Sequence, residues 1–356
     1  MYYTGVDLHS DNCVLKTINK DGQDKRASKL ANQPEDIINY FRSIEPDLSH
    51  HSVVVETTHN YYWFTDLLKE NGIKVTLAHA YKLRAITASK VKTDKHDADT
   101  LAKLLLMNFI PEAYMVSQEL RDLRDFTRTR LNLTHKRVAC INSIHSLLFK
   151  YNCHPKSKTE LGKQILEENF TKSIPVNHVV RYHIDVFIDQ VHLLNQQIEE
   201  VEHFIKNEIK TRTSETFYQL IKMPGIGQII AMTILLEIDD INRFPETKNL
   251  FSYAGLVPAA KNSNKSEKQY SSKQRNKFLK NALKEAAVHA IHFFPAVKEY
   301  YQQKIKKHHK AQAHTLVAKE LARTLFYLLK ENMQYPRFKG KEIKKSESYI
   351  NQMMNY

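Results

Sequence analysis

Glycine and proline are both scarce, 8 and 10 among 356 residues. With so little punctuation, long structureless stretches are not expected. Cysteine is rarer: Cys13, Cys140 and Cys153, an odd number with no Cys-x-x-Cys. That usage argues against a disulfide framework and for a reducing cytosol. Cys153-His154 offers two of the four ligands that zinc needs. No apolar run reaches the length of a membrane span, since the longest candidate, 226–238, is interrupted by Gly227 and Gln228. The N-terminal Met1-Tyr2-Tyr3-Thr4-Gly5 lacks a basic stretch followed by an apolar core, so no secretion signal is expected. Acids are the minority charge, 39 against 53 Lys and Arg, and the formal net charge is +14. With no membrane segment, that surplus fits a cytoplasmic protein that binds nucleic acid.

What is present is globular, 42% hydrophobic and 26% charged. Residues 1–110 alternate apolar runs at strand spacing (2–8, 13–18, 51–56, 74–78) with helical stretches (61–71, 97–108), which predicts a three-layer α/β domain. A helical region follows at 111–212. Within it Ile184, Val191, Ile198 and Ile205 repeat every seven residues, with Phe187, Leu194 and Val201 at the companion positions. This is a coiled-coil seam, either a hairpin packed on itself or an arm that joins subunits. Residues 213–335 read as a second, mostly helical domain, and 336–356 as a polar, lysine-rich, frayed tail.

Four carboxylates stand out. Asp7 lies near the end of the first strand and Glu56 ends Val53-Val54-Val55. Asp94 and Asp97 are three apart at a helix start, hence on one helical face. Each has a bland explanation as a turn, a cap or a solvated group. Acids that end apolar strands are poorly explained by stability, and four together need cations. Magnesium, or manganese, suits hard oxygen ligands and leaves room for a substrate phosphate. Asp99 is expected to face elsewhere, and His9 and His96 to be bystanders.

Pro224-Gly225-Ile226-Gly227 joins two helical stretches in the manner of a helix-hairpin-helix. Gly225 and Gly227 would bring backbone N–H groups to a DNA phosphate, unless the turn is merely tight. From 261 to 284 the chain carries Lys261, Lys265, Lys268, Lys273, Arg275, Lys277, Lys280 and Lys284, with Glu267 the only acid. Such density predicts a DNA-contacting surface. Ser263, Ser266, Ser271 and Ser272 lie inside it. Nearby cations could activate a serine as nucleophile, and spacing does not choose among the four.

Taken in order, these segments resemble the DEDD-type insertion-sequence transposases related to the Piv/MooV DNA invertases, some of them bridge-RNA-guided recombinases. The marks are Asp7 after Gly5-Val6, the strand ending in Glu56, and Lys92-Thr93-Asp94-x-x-Asp97-Ala98. Farther on come Pro224-Gly225-Ile226-Gly227, Arg243-Phe244 and Tyr253-Ala254-Gly255-Leu256-Val257-Pro258. The resemblance implies an RNase H-like (RuvC-like) N-terminal domain with Asp7, Glu56, Asp94 and Asp97 on magnesium. It also implies a helical coiled-coil arm that assembles a dimer or tetramer, and a C-terminal serine that becomes joined to DNA. Ser263, five residues past Pro258, matches that serine best and Ser266 next. Asn264 replaces the usual glycine, and only Asn276 and Leu279 remain of a Gly-Asn-x-x-Leu motif. An element-encoded structured RNA is the implied guide, with Arg121, Arg124, Arg128, Arg130, Lys136 and Arg137 as its contacts. The rival readings are a RuvC-like endonuclease that uses water and a non-catalytic nucleic-acid-binding protein.

Overall fold

The computed structural model describes residues 1–86, 94–167, 169–211, 215–263, 266–271, 275–333, 336–342 and 345, with the backbone alone at 94–95, 209–211, 258–263, 266–271 and 341. Two compact units emerge, Met1–Met115 and Val116–Tyr356. The boundary falls five residues beyond the expected 110, and the helical arm and C-terminal segment make one unit instead of two.

In the first unit β1 (Tyr2–Leu8), β2 (Asn12–Asn19) and β3 (Asp24–Ala31) form an antiparallel meander. After α1 (Pro34–Arg42), β4 (His51–Glu56) pairs parallel to β1. After α2 (Tyr61–Glu70), β5 (Lys74–Ala78) pairs parallel to β4. The order is β3-β2-β1-β4-β5. Helices α3 (Ala80–Ile86) and α4 (Asp94–Leu106) follow. Val53 and Val55 of β4 pack with Val6, Phe41, Phe64 and Leu68, while Val54 packs with Leu83, Leu101 and Leu104. A strand buried on both faces reads as a continuous apolar run, and so Val53-Val54-Val55 sits mid-sheet. Strand β3 was not expected. Its sequence, DKRASKLA, is mostly exposed and charged, as edge strands that resist pairing with other chains tend to be.

In the second unit α5 (Gln118–Lys150) and α7 (His178–Thr211) run antiparallel, joined through α6 (Lys158–Gln164). Arg130 pairs with Glu202, Arg137 with Asn195 and Cys140 with Gln190 along the hairpin. The heptad seam is filled inside the chain: Ile184, Val191 and Leu194 pack with Cys140, Ile144, Leu148 and Leu161. Of the two readings of that seam, the self-packed hairpin is the one observed. Val138, expected on the apolar side of α5, is instead 46% exposed.

The rest is built from α8 (Glu215–Lys222), α9 (Gln228–Ile238), α10 (Thr247–Tyr253), a hairpin of β6 (Pro258–Ser263) and β7 (Ser266–Ser271), then α11 (Lys277–Phe293), α12 (Pro295–Ile305) and α13 (Lys310–Lys330). Ala282, Ala286, Ala287 and Ala290 give α11 a thin buried face on which its neighbours close. The tail is not frayed at its start. β8 (Arg337–Phe338) and β9 (Lys341–Glu342) pair, Phe338 enters the core, and the buried Lys345 ammonium donates to the Ile221 and Ile226 carbonyls at 2.7 and 2.6 Å. No described helix is long and apolar enough to cross a membrane.

Candidate active site

Side chains alternate along a strand, and this fixes where the acids of the first unit point. Val6 and Leu8 face the core built with α1 and α2, so Gly5 and Asp7 face the other way. Gly5 meets α4 so closely that a Cβ there would lie 2.0 Å from the Ala98 carbonyl oxygen and 2.6 Å from the Ala102 nitrogen. Val54 faces α4 as well, through Leu101 and Leu104, and Glu56 shares its side of β4. Register pairs Val6 with Val55, so Asp7 and Glu56 come next on neighbouring parallel strands, on one face and at one edge. Adjacent strands lie about 4.8 Å apart.

Helix α4 brings its N-terminus to that edge. Its start lies over the end of β1, through Ala98 on Gly5, and its Leu106 lies by Gly22 in the turn at the opposite end of the sheet. Asp97 is one turn before Leu101, on the stripe that faces the sheet. The side chain of Asp94, at the start of α4, lies outside the described residues. Asp7 is 26% exposed, and Glu56 and Asp97 are half-buried. Among the described side chains no three His, Cys, Asp or Glu crowd together as a finished metal site. The three described carboxylates instead rim an open edge. They are hard, partly solvated oxygen donors of the kind that suits magnesium, which keeps several waters of its own.

The neighbours divide as chemistry would suggest. Asp99 pairs with Lys103 at 2.6 Å, away from the edge, as expected. His9, taken for a bystander, stands 3.4 Å from Asp7. Its backbone carbonyl accepts from the side chains of Asn32 at 3.0 Å and Asn60 at 2.8 Å, which pin the loop after β1. Those asparagines lie 23 and 51 positions from His9, which is why sequence gave no hint of them.

In the second unit the fragments Arg243-Phe244, Tyr253-Ala254-Gly255 and Asn276-x-x-Leu279 converge on a residue that sequence reasoning passed over, Glu237. Its carboxylate is fully buried and accepts from Arg128 Nε at 2.7 Å, Arg124 Nε at 2.9 Å and Asn276 Nδ2 at 2.7 Å. Burial alone would raise its pKa, but the guanidiniums of Arg128 and Arg124 and the Asn276 amide outweigh that and hold it below the usual glutamate value. Its backbone carbonyl accepts from Tyr253 Oη and Arg243 Nη2, both at 3.2 Å. Asn276 also donates to Tyr253 Oη at 2.9 Å, and its oxygen caps α11 at Phe278 and Leu279.

Tyr253 and Asn276 are the two roots of the β6–β7 hairpin. Gly255, at φ +62, packs on the Arg275 side chain, where a Cβ would lie 2.6 Å from Cδ. The hairpin pairs Ser263 with Ser266 beside its tip. The side chains of Ser263, Ser266, Lys261 and Lys268 lie outside the described residues, as do Lys265 and Lys273 entirely. Arg275 and Lys277 are exposed. A hairpin was not foreseen here, because Lys, Asn, Ser and Gln carry little strand signal.

Two sets of expectations change. Arg124 and Arg128 are committed to Glu237, Arg130 to Glu202 at 2.6 Å and Arg137 to Asn195 at 3.0 Å, while Arg121 is 4% exposed. They are not a free basic face for RNA, and of that set Lys136 alone is exposed. Gly225, at φ +72, is turned inward, and a Cβ would lie 2.1 Å from the Ala286 carbonyl oxygen. Its lack of a side chain serves helix packing instead of a close phosphate approach. Gly227 is the N-cap of α9.

An acid-edged mixed sheet followed by a helical unit is what the fold provides, and comparison with known proteins gives the class, that of transposases. Residues 4–153 match the DEDD transposase model, and residues 218–302 match the model described as Transposase IS116/IS110/IS902 family. These two matches span about two-thirds of the chain, which belongs to this family of DNA transposases. The chain is 23% identical over 245 residues to the transposase for insertion sequence element IS1328 of Yersinia enterocolitica, covering 65% of this chain and 71% of that one. It is 22% identical over 180 residues to the transposase for IS1111A of Coxiella burnetii, covering 49% and 48%.

Proposed function

We propose that this transposase moves DNA by strand exchange through a serine, with Asp7, Glu56, Asp94 and Asp97 of its RNase H-like domain holding Mg2+ or Mn2+ and Ser263 as nucleophile. The observation that carries the reading is the placement of Asp7 and Glu56 one position past the Val6–Val55 register pair on adjacent parallel strands, at the sheet edge reached by the N-terminal turn of the helix that bears Asp97. When bound, the cation supplies positive charge to the oxygens of the scissile phosphodiester.

The chain's own groups do the rest. Ser263 Oγ attacks phosphorus and forms an Oγ–P bond, while the P–O bond to the departing strand breaks. The departing oxygen takes up a proton and leaves as a free hydroxyl, and the serine proton passes to solvent. A hydroxyl of a different strand then attacks the same phosphorus and Oγ leaves. Each step trades one P–O bond for another, so no ATP is needed. Lys261, Lys265, Lys268, Lys273, Arg275 and Lys277 neutralise flanking phosphates. The Met223–Gly227 turn adds the N-terminal amides of α9, with Gly227 nearer the DNA than Gly225.

A structured RNA encoded by the element and a homo-oligomeric assembly belong to the same reading. In this reading the heptad seam packs within one chain and most arginines of α5 are paired, so subunit contacts are assigned to exposed surface and RNA contacts to Lys136 and cations elsewhere. The test uses labelled element-junction DNA with Mg2+ and the element's RNA. Wild type cuts the DNA, and Asp7→Asn and Asp97→Asn do not. Ser263→Ala stops cutting under this reading. Continued cutting by Ser263→Ala would instead mark a water-using nuclease.

A further inference from the structure

Two stretches of the second unit contain no acid at all, residues 268–284 and 300–319. The fold sets them side by side. Helix α11 carries Lys277, Lys280 and Lys284 at i, i+3 and i+7, one face about 10 Å long. Helix α13, which packs on α11, carries Lys310 and His314 in its first turns. His314 Nε2 shares a hydrogen bond with Tyr301 Oη at 3.0 Å. The corner before α13 adds Lys306, Lys307, His308 and His309, and His309 Nδ1 accepts from the Ala311 amide at 3.3 Å.

These cations are near enough to feel one another. The Lys280 pKa is lowered by burial and then by Arg275 and Lys284, and that of His314 by burial and then by Lys310 and Lys284. Arg275 and Lys284 thus neighbour Lys280; Lys284 and Lys310 both lie by His314; and the α12–α13 corner adjoins Lys310 along the chain. Lys284, Lys306, Lys307 and Lys310 are exposed. Among the described residues neither Lys280, Lys284 nor Lys310 makes an ion pair. A row of like charges held together costs free energy in the isolated protein, and a polyanion removes that cost.

We propose that this row is a track for the sugar-phosphate backbone of duplex DNA, running from the root of the β6–β7 hairpin along α11 to the α12–α13 corner. Choosing duplex DNA rests on the reading of that hairpin as the strand-exchange segment. A duplex carries one charge per about 1.7 Å of axis and binds basic rows by counterion release. Residues 277–284 alone could neutralise several phosphates.

The experiment measures binding of a fluorescent duplex to the full chain without divalent cation, as a function of salt. Each lost phosphate contact lowers the slope of log affinity against log salt by about 0.9. The variant Lys284→Gln/Lys306→Gln/Lys307→Gln/Lys310→Gln should lose up to about 3.6 units of slope, while its melting temperature stays near wild type. Lys69→Gln/Lys74→Gln, exposed in the first unit, should keep the wild-type slope. An unchanged slope in the fourfold variant overturns the track, and so does an equal change in the control. A change seen only with structured RNA overturns the choice of DNA. Ser263→Ala should keep the full slope, so failure of the serine chemistry and failure of the track are read separately.

Discussion

The Glu237 carboxylate accepts from the Asn276 side-chain amide at 2.7 Å, across 39 positions of sequence. That bond ties the middle of the helical unit to the residue that ends the β6–β7 hairpin and begins α11. The same carboxylate holds Arg124 and Arg128, and the Glu237 backbone carbonyl accepts from Tyr253, so one buried residue ties helix α5, helix α9 and both roots of the hairpin together.

Replacing Glu237 by Ala should unfold the second unit readily. It leaves two largely buried guanidiniums without their counter-charge, a loss of about 3–5 kcal/mol. Chemical denaturation should show the midpoint falling. Arg130→Ala is the contrast, because Arg130 and Glu202 are each about a quarter exposed and screened, so about 1 kcal/mol or less is expected.

The same group makes the unit acid-labile. The folded-state pKa of Glu237 is depressed, so its contribution is complete above the unfolded value of about 4.5 and is lost as pH falls through the folded one. Melting temperature should fall as pH drops below about 4.5, and Asn276→Ala, which removes one of the donors and so raises the folded-state pKa toward the unfolded one, should make that fall smaller.

Gly5→Ala tests the seating of α4. The new methyl would strike the Ala98 carbonyl and the Ala102 amide, both backbone, so helix and strand must separate. A cost of about 1–3 kcal/mol is expected. DNA cutting should suffer more than stability, since Asp97 rides on that helix, and comparing melting temperature with cutting rate checks this.

Lys345 gives a prediction at the opposite end of the pH scale. Burial lowers its pKa to about 8, so the folded protein releases the proton that the unfolded chain keeps to about 10.5. Stability therefore rises with pH across that window. Proteolysis of the tail should be slower at about pH 9.5 than at about pH 7, and Lys345→Met should remove the difference.

What could be read in advance follows from periodicity. Val53-Val54-Val55 announced a central strand, and Asp7 and Glu56 could be placed at strand ends because burial on both faces leaves only the ends for charge. The heptads of α7 showed a seam but not its partner, since period is the same whether a helix packs on its own chain or another. Strand β3 and the β6–β7 hairpin carry polar residues without alternation and gave no signal. The role of Glu237 was hidden for a different reason. Lying in the apolar helix 228–238, it looks like a stray acid until Arg124, Arg128 and Asn276, more than 35 positions away, arrive around it. The pairing of the α5 arginines is hidden in the same way, because spacing shows a basic face and not its partners across the fold.

The most direct measurement is the chemical identity of the protein–DNA link. After reaction with junction DNA, Mg2+ and the element's RNA, nuclease and trypsin digestion separates the two candidate serines, because cleavage after Lys261, Lys265 and Lys268 puts Ser263 and Ser266 on different peptides. The account predicts a nucleotide adduct on the peptide spanning 262–265, absent in Asp7→Asn. An adduct on 266–268, or cut DNA with no serine adduct at all, would contradict it.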